Sequence, residues 1–252
     1  MIDDSLEKYA MEKVAIIGGS SGIGLALCRH LKAKGVEVAI CARDEAKLIE
    51  VKNSLGDIFV RSVDATHFDE VENFFREIKE KIGSLTAVVN CAGAILVKPA
   101  HLTREDEYRQ VIEQNLTTAF AVVKYGSQII SQEGGSIILF SSAAARIGIK
   151  QHEVVAAAKA GIVGLTLSAA ATYAPRIRVN CVAPGLVDTP LASKIFTNQR
   201  ALEYSQNVHA LKRTGTAEEI ASLVAYLIDP QSSWITGQVI GIDGGLGSIQ
   251  PV

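Results

Sequence analysis

The sequence predicts a single α/β domain in which helices cover both faces of a seven-stranded parallel sheet. Short apolar runs alternate with longer segments of helical periodicity, which is typical of repeated β-α units. Most of these runs are apolar nearly throughout, so both faces of the strands are expected to be buried. No internal repeat, low-complexity tract or linker interrupts the chain. Residues 1–252 are therefore expected to form one domain.

The expected strands and helices alternate along almost the whole chain. The strands are short, mainly apolar runs, expected at 14–17, 36–40, 58–63, 85–90, 136–140, 177–182 and 239–242. The helices carry apolar residues at helical spacing and are expected at 23–31, 44–55, 67–82, 103–131, 154–173 and 216–229. Asp44 and Thr216 each precede a run of helix-forming residues, so both are expected to be N-caps.

The composition argues against several classes of function. A formal charge of -2 provides no basic surface for nucleic acid. Cys28, Cys41, Cys91 and Cys181 lie too far apart to form the CxxC pairs of zinc or redox sites, and no metal is expected. The segment Met1-Ile2-Asp3-Asp4 is acidic, unlike a signal peptide, and no apolar run is expected to span a bilayer. A cytoplasmic protein without a membrane partner is the expectation.

A glycine-rich loop, Gly18-Gly19-Ser20-Ser21-Gly22-Ile23-Gly24, joins the first strand to the first helix. Glycine lets a backbone turn tightly enough to approach a pyrophosphate, and the free N–H groups of a helix start bind anions. A tight β-α turn without a ligand could also use these glycines. The position of the loop at the first strand of an alternating chain favours nucleotide binding on a Rossmann-type, doubly wound domain.

The glycine spacing GxxxGxG resembles the short-chain dehydrogenase/reductase family, and further motifs follow in family order from about residue 13 to 247. These motifs are Asp64-Ala65, Asn90-Cys91-Ala92-Gly93, Pro184-Gly185 with Thr189, Trp234-Ile235-Thr236-Gly237 and Asp243-Gly244-Gly245. The resemblance implies an oxidoreductase that binds a nicotinamide dinucleotide. The expected cofactor-binding residues are Gly18, Ser20, Ser21, Gly22, Ile23, Gly24, Arg43, Asp64, Ala65, Asn90, Ala92, Gly93, Lys159, Pro184, Gly185, Val187 and Thr189.

The end of the second strand indicates which dinucleotide is preferred. NAD enzymes place a carboxylate there to bind the ribose hydroxyls, whereas this chain has Ala42 followed by Arg43. A guanidinium can bind a 2′-phosphate through two parallel hydrogen bonds. Asp44 is better explained as a helix cap, and a solvated loop charge is the alternative for Arg43. NADP is therefore expected, in preference to NAD.

By the same resemblance, catalysis is expected to involve an Asn, Ser, Tyr and Lys set. Asn115, Ser142 and Lys159 match three of these positions, but Val155 occupies the tyrosine position, four residues before the lysine. A valine cannot donate a proton. Each retained residue also has a structural alternative: a kink or a helix–helix hydrogen bond for Asn115, a polar strand end for Ser142 and a solvated charge for Lys159.

His152 is a candidate for the missing proton donor. It lies seven residues before Lys159, on nearly the same helix face, and this spacing resembles that of the tyrosine in the related enoyl-acyl-carrier-protein reductases. Imidazole can donate a proton near neutral pH, although its reach is shorter than that of tyrosine. A residue that caps or flanks the helix start is the alternative. Without tyrosine, reduction of an enoyl thioester suits the chain better than reduction of a ketone, because Ser142 could hold the resulting enolate.

Two further regions bear on substrate and assembly. Residues 186–211 are expected to form a substrate lid whose apolar residues suit an acyl or enoyl substrate or simply pack onto the domain: Leu191, Ile195, Phe196, Leu202, Tyr204 and Val208. Small residues on 154–173 favour close approach of a second subunit: Ala156, Ala157, Ala160, Gly161 and Gly164. The family commonly forms tetramers, so a homodimer or homotetramer is expected.

Three functions therefore remain open. The first is an NADP-dependent oxidoreductase acting on a small carbonyl or enoyl substrate. The second is a cofactor-binding pseudoenzyme or sensor, which has lost turnover because Val155 replaces the tyrosine. The third is an enzyme that uses the same pocket for chemistry without a redox step, such as dehydration.

Overall fold

The predicted apolar runs form a seven-stranded, entirely parallel sheet in the computed structural model, which describes residues 12–249. Segment Met1-Ile2-Asp3-Asp4 and the two ends of the expected domain 1–252 lie outside the described residues. The strands are β1 Lys13–Ile17, β2 Glu37–Ala42, β3 Phe59–Ser62, β4 Ala87–Asn90, β5 Gly135–Phe140, β6 Ile177–Pro184 and β7 Val239–Ile242. The prediction of a doubly wound parallel sheet is confirmed.

The order of the strands places a crevice at the centre of the sheet. The order is β3-β2-β1-β4-β5-β6-β7, so the chain winds in one direction from β1 to β3 and in the other from β4 to β7. In open α/β sheets, ligands bind beyond the carboxyl ends of the strands where the winding reverses. In this protein that point lies between β1 and β4.

Helices cover the sheet on both faces, as the apolar strands require. Alternate residues of β1 point to opposite faces, so Ala15 and Ile17 join one core cluster while Val14 and Ile16 join the other. The α-helices are α1 Gly22–Ala33, α2 Glu45–Leu55, α3 Phe68–Lys81, α4 Glu105–Ile112, α5 Thr118–Ile129, α6 Glu153–Tyr173, α7 Ser193–Phe196, α8 Gln199–Val208 and α9 Ala217–Ile228.

Both predicted N-caps are confirmed. The side chain of Asp44 accepts a hydrogen bond from the Lys47 backbone at the start of α2. Thr216 caps α9 in the same way, and Glu219 completes the reciprocal pair of bonds by accepting from the Thr216 backbone. Each pair satisfies N–H groups that a helix start leaves without a partner inside the helix.

The helix expected over 103–131 runs without a break from Glu105 to Ile129, but it is not α-helical throughout. A π-helical turn, Glu113–Thr117, joins α4 to α5. The side-chain amide of Asn115 donates to the Val111 carbonyl at 2.8 Å, a group that a regular helix would bond to the Asn115 backbone. Wide turns of this kind occur frequently at functional sites.

By length and composition alone, the 21-residue helix α6 could cross a membrane. Within its most apolar stretch, 44% of the residues are buried inside the protein. It packs against β5 and β6, and its buried residues include the charged Lys159. These contacts are typical of a core helix.

Candidate active site

A cavity of about 400 Å³ lies beyond the carboxyl ends of the central strands, where the strand order reverses. This volume is within the range of small-molecule sites. Twelve of the residues expected to bind a cofactor line it: Gly18, Ser20, Ser21, Gly22, Ile23, Gly24, Arg43, Asp64, Ala65, Ala92, Gly93 and Thr189. Among residues 12–249, no group of three or more His, Cys, Asp or Glu side chains could hold a metal ion.

The glycine loop forms the wall of the cavity because its backbone packs closely against two neighbours. Gly18 has a φ of +79°, and a Cβ there would lie 2.9 Å from the backbone nitrogen of Ala92. A Cβ on Gly24 would collide with the carbonyl of Gly18. The loop therefore needs glycine at both positions to bring the start of α1 against the end of β1.

The start of α1 is suited to an anion. Ser21 occupies the N-cap position but makes no side-chain capping bond, and the first turn contains no acidic residue. Ser21, Gly22 and Ile23 all line the cavity. The first N–H groups of a helix have no partner within it, and the helix dipole adds positive potential there. The arrangement fits the pyrophosphate of a dinucleotide.

Within the described part of the chain, four charged side chains line the cavity, two of them basic and two acidic: Arg43, Lys47, Asp44 and Asp64. Arg43 and Lys47 both line it and are exposed, and Arg43 forms no ion pair with any residue of 12–249. The Asp44 carboxylate accepts from the Lys47 backbone and lies 3.3 Å from the Lys47 Nζ atom. The backbone bond lowers the pKa of Asp44, so this acid serves the helix cap. Sequence reasoning missed Lys47, although its place one turn beyond Arg43 could have indicated it.

Asp64 and Asn90 shape the cavity wall in different ways. Asp64 lines the cavity and accepts bonds from the backbone and hydroxyl of Thr66 at 3.0 and 2.8 Å. Asn90 is buried behind the wall, where its side-chain oxygen accepts from the Ala92 backbone at 3.2 Å. Asn90 therefore stabilises the turn that places Ala92 and Gly93 on the cavity surface. It does not line the cavity itself, and neither do Lys159, Pro184, Gly185 and Val187.

Asn115 ties the π-turn to the wall of the cavity. It is fully buried, and its side chain both accepts from the Ala94 backbone N–H at 3.2 Å and donates to the Ala94 carbonyl at 3.1 Å. A Cβ on Gly93 would lie 3.0 Å from its side-chain oxygen. These bonds run to a loop and not to a neighbouring helix, and they position the segment that carries Gly93.

Lys159 is a buried cation close to Gly93. Its Nζ donates to the Phe140 carbonyl at 2.9 Å and lies 3.4 Å from where a Cβ on Gly93 would sit. Burial lowers the pKa of Lys159 to about 8. The hydroxyl of Ser141 holds the helix at this point by donating to the Lys159 carbonyl at 2.8 Å. A solvated charge is thus excluded, since the side chain is enclosed between β5 and the Gly93 segment.

Ser142 follows β5 and is half-buried. Its oxygen accepts from the Ala144 backbone at 3.2 Å. A hydroxyl can accept and donate at the same time. Among residues 12–249, nothing accepts the Ser142 hydroxyl hydrogen, so this group can donate to a substrate oxygen.

Val155 lies in a small apolar cluster. It is 4% exposed and packs with Val111, Val154 and Ala158, and the half-buried Leu96 and Ile112 complete the cluster. The cluster joins the start of α6 to α4 and to the segment after β4. Hydrocarbon therefore surrounds the position at which the resemblance expects a phenol.

His152 is the N-cap residue of α6, and its Nδ1 lies 2.9 Å from the Lys150 carbonyl. Since a carbonyl only accepts hydrogen bonds, Nδ1 carries the hydrogen and Nε2 of the neutral ring is an acceptor. His152 can then donate from Nε2 only as an imidazolium. His152 therefore flanks the start of α6, which is the alternative to a role as proton donor.

Cys91 also lines the cavity. Burial raises the pKa of its thiol to about 12, so the group remains protonated near neutral pH. A protonated thiol is a poor nucleophile. Cys91 is therefore an apolar part of the wall.

The lid segment consists of a loop followed by α7 and α8. Leu191 and Tyr204 are exposed and the other apolar residues expected to face a substrate are half-buried: Ile195, Phe196, Leu202 and Val208. Leu191 also lines the cavity. Sequence reasoning did not single out His209, which is buried at the end of the lid.

Comparisons with known proteins agree with this geometry. A family model described as enoyl-(acyl carrier protein) reductase matches residues 17–247. The 3-oxoacyl-[acyl-carrier-protein] reductase FabG of Chlamydia pneumoniae is 34% identical, over 93% of this chain and 96% of that protein.

Solved structures give the same result. A short-chain type dehydrogenase/reductase from Mycobacterium ulcerans superposes with a TM-score of 0.90 and 27% identity, covering 96% of this chain and 91% of that one. A single-residue variant of an actinorhodin polyketide ketoreductase, solved with NADPH, has a TM-score of 0.88 and 28% identity, covering 95% of this chain and 99% of that one.

Proposed function

Because the chain belongs to the short-chain dehydrogenase/reductase family of oxidoreductases, we propose that it transfers hydride between NADP(H) and a small carbonyl or enoyl substrate. The observation that carries the proposal is the glycine-walled cavity that begins at an uncapped helix start and ends at two basic side chains. When bound, the reduced nicotinamide supplies the hydride. The residues of the chain hold the dinucleotide, orient it and bind the substrate oxygen.

NADP is proposed over NAD because of the charges at the outer end of the cavity. Arg43 and Lys47 can both reach a phosphate there, while the one adjacent acid, Asp44, is engaged by the helix cap. A 2′-phosphate would thus meet two cations, whereas a bare ribose would find no free carboxylate at this position. The similar polyketide ketoreductase whose structure contains NADPH adds support.

The reacting oxygen is proposed to bind at Ser142. Its hydroxyl hydrogen is available for donation, and Lys159 adds a buried positive charge near Gly93. Hydride addition to an enoyl thioester leaves an enolate, which such donors can stabilise. Reduction of a ketone also demands prompt protonation of an alkoxide, for which Val155 offers no group. We therefore favour an enoyl substrate, in line with the description of the matching family model.

A cofactor-binding protein without turnover is the second candidate. The apolar cluster around Val155 favours it, because this hydrocarbon lies where a proton donor is expected. Such a protein would keep all of the residues that line the cofactor cavity. Its function would be to bind the dinucleotide and to respond to its reduced or oxidised form.

Assembly as a homodimer or homotetramer is supported by the surface of α6. Ala157, Ala160, Gly164 and Leu167 are exposed on this helix, which allows the close helix approach that small residues permit. The four free cysteines, three of them buried, suit the reducing cytoplasm proposed as the compartment.

The proposal is tested by titrating the purified protein with NADPH and NADH while nucleotide fluorescence is followed. NADPH is expected to bind at least about tenfold more tightly, the effect of one charge-assisted interaction. The double variant Arg43→Ala, Lys47→Ala should lose this preference. Lys52→Ala, at the other end of α2, should retain it. Equal affinity for the two nucleotides would contradict the choice of NADP.

Turnover is then measured with panels of enoyl thioesters and ketones at saturating NADPH. Oxidation of NADPH by an enoyl substrate supports the oxidoreductase. Tight NADPH binding without oxidation in either panel would instead identify the binding protein.

A further inference from the structure

The lid is attached to the domain through an unusual residue. Between residues 193 and 219, His209 is the only buried residue, with 2% of its surface exposed. Helix α8, which precedes it, has no buried residue. Beyond the buried Val187 and Ala192 at its start, the lid is therefore packed against the domain by a polar imidazole and not by an apolar side chain.

Both ring nitrogens of His209 are engaged, each by a different part of the chain. Nδ1 lies 2.5 Å from the Ser205 carbonyl in α8, so Nδ1 carries the hydrogen and donates it. Nε2 accepts a bond of 3.2 Å from the Leu186 backbone N–H, in the loop after β6. A neutral imidazole can do both at once because one nitrogen is a donor and the other an acceptor.

The loop after β6 is shaped to receive this ring. A Cβ on Gly185 would lie 2.5 Å from His209 Nε2, so only glycine leaves room for it. The Leu186 carbonyl and the Asp188 N–H pair with the backbone of Gly215. With the His209 bond, every polar group of the Leu186 backbone has a partner within the described residues, and the path of the loop is fixed.

This same loop continues into the wall of the cofactor cavity. Thr189, Pro190 and Leu191 line the cavity, only three to five residues beyond Leu186. A shift of the Leu186 backbone would therefore move the cavity wall. The bond between His209 and Leu186 connects the end of the lid to this wall directly.

We propose that His209 is a positioning residue that clasps the end of the lid to the Leu186 backbone and thereby sets the cavity wall at Thr189–Leu191. The existence of the clasp is inferred from the two hydrogen bonds of His209 alone. Its effect on cofactor binding rests on the proposed function of the cavity.

Two conservative variants separate the bonds. In His209→Gln, the amide oxygen reaches about as far as Nε2 and can accept from Leu186. In His209→Asn, the shorter amide can still donate to Ser205 but cannot reach Leu186. Both variants remain polar and smaller than or similar to histidine, and each keeps one of the two bonds: His209→Gln the bond to Leu186 and His209→Asn the bond to Ser205.

Hydrogen exchange at the Leu186 amide, resolved to single residues by mass spectrometry, is the direct readout in the protein without cofactor. The amide is expected to be protected in the wild-type protein and in His209→Gln, and to exchange about tenfold faster in His209→Asn. Fast exchange of this amide in the wild-type protein would overturn the clasp, even if a variant fails to fold.

NADPH affinity is measured on the same three proteins. We expect the Kd to rise about tenfold in His209→Asn and to recover in His209→Gln. Faster exchange with an unchanged Kd would overturn the link to the cavity wall. If the wild-type protein does not bind NADPH, the proposed function fails, whereas the exchange data still decide whether the clasp exists.

Discussion

At the scale of single residues, Val155 separates cofactor binding from proton donation. The glycine loop, Arg43 and Lys159 do not depend on it for their positions, since Val155 packs in an apolar cluster of its own. A dinucleotide can thus be held next to a catalytic position that has no exchangeable hydrogen. Under the proposed function, the chemistry would then depend on the donors that remain, chiefly Ser142.

Replacing Val155 by tyrosine should introduce the missing donor. Val155→Tyr is expected to raise ketone reduction above the wild-type rate, because a phenol close to Lys159 can protonate an alkoxide. The larger ring should cost about 1–3 kcal/mol of stability in the buried cluster. Initial rates of NADPH oxidation and urea unfolding check both effects.

Val155→Phe is the matched control, since it adds nearly the same volume without a hydroxyl. It should lose similar stability and gain no ketone reduction. A gain in Val155→Phe equal to that in Val155→Tyr would show that ring size and not proton donation is responsible.

Lys159, which is proposed to stabilise bound cofactor, lowers the stability of the folded protein. Its pKa falls from 10.5 to about 8, which corresponds to about 3 kcal/mol of lost stability at neutral pH. The unfolded chain holds this proton more tightly, so Lys159 contributes a rise in the free energy of unfolding as the pH increases from about 8 to about 10.5. The cysteine thiols contribute a fall in the same range, because burial raises their pKa in the folded protein. Urea unfolding of the wild-type protein and of Lys159→Met across this range measures the contribution of Lys159 as the difference between the two proteins.

The variant Lys159→Met should be more stable than the wild-type protein by about 1–3 kcal/mol at pH 7, because an apolar chain replaces a buried charge. It should also bind NADPH more weakly and lack the contribution of Lys159 to stability above pH 8. Lys52→Met, which alters an exposed lysine, should change neither property. An unaltered pH dependence in Lys159→Met would mean that another group titrates.

At the scale of elements, the start of α1 and the π-turn between α4 and α5 build the site. The first brings unpaired N–H groups to the cavity, and the second lets Asn115 hold the Gly93 segment. Both depend on close contacts between backbones. Small changes in those contacts should therefore affect cofactor binding more than the overall fold.

Gly24→Ala tests the start of α1. The added methyl group would collide with the Gly18 carbonyl, so the helix start must move away from β1. We expect NADPH affinity to fall at least about tenfold and stability to drop by about 1–3 kcal/mol. Gly148→Ala, where nothing lies within 4 Å, should leave NADPH affinity unchanged. Undiminished binding in Gly24→Ala would contradict the anion site.

Some elements of the fold could be predicted from the sequence and others could not. The strands and the caps at Asp44 and Thr216 were predictable because apolar runs and capping residues act locally. The π-turn was not, since the apolar periodicity continues through 103–131 and only the bond from Asn115 to Val111 interrupts it. His209 was missed for a similar reason: its partner Leu186 lies 23 residues away in the sequence.

At the scale of the whole molecule, the reversal of strand order fixes the site, and the exposed face of α6 suggests the assembly. Small residues on this helix leave room for a second subunit. Lys159 and the apolar cluster lie on the buried side of the same helix. Association would therefore brace the helix that carries Lys159 and the proposed reaction centre.

Gly164→Arg should disrupt this association. Nothing lies within 4 Å of a Cβ at this position in the single chain, so the monomer fold should tolerate the change while a close helix partner would not. Sedimentation velocity should show a dimer or tetramer for the wild-type protein and a smaller species for the variant. Ala46→Arg, on the exposed side of α2, should leave the assembly intact. A Gly164→Arg protein of wild-type mass would argue against this interface.

The central claim is that the chain keeps a working dinucleotide cleft although valine replaces the proton donor. A crystal structure of the protein grown with saturating NADPH tests it most directly. We predict density for the whole dinucleotide, with the pyrophosphate at the start of α1, the 2′-phosphate at Arg43 and Lys47, and the nicotinamide near Lys159. A well-ordered structure without dinucleotide density in this cavity would contradict the claim.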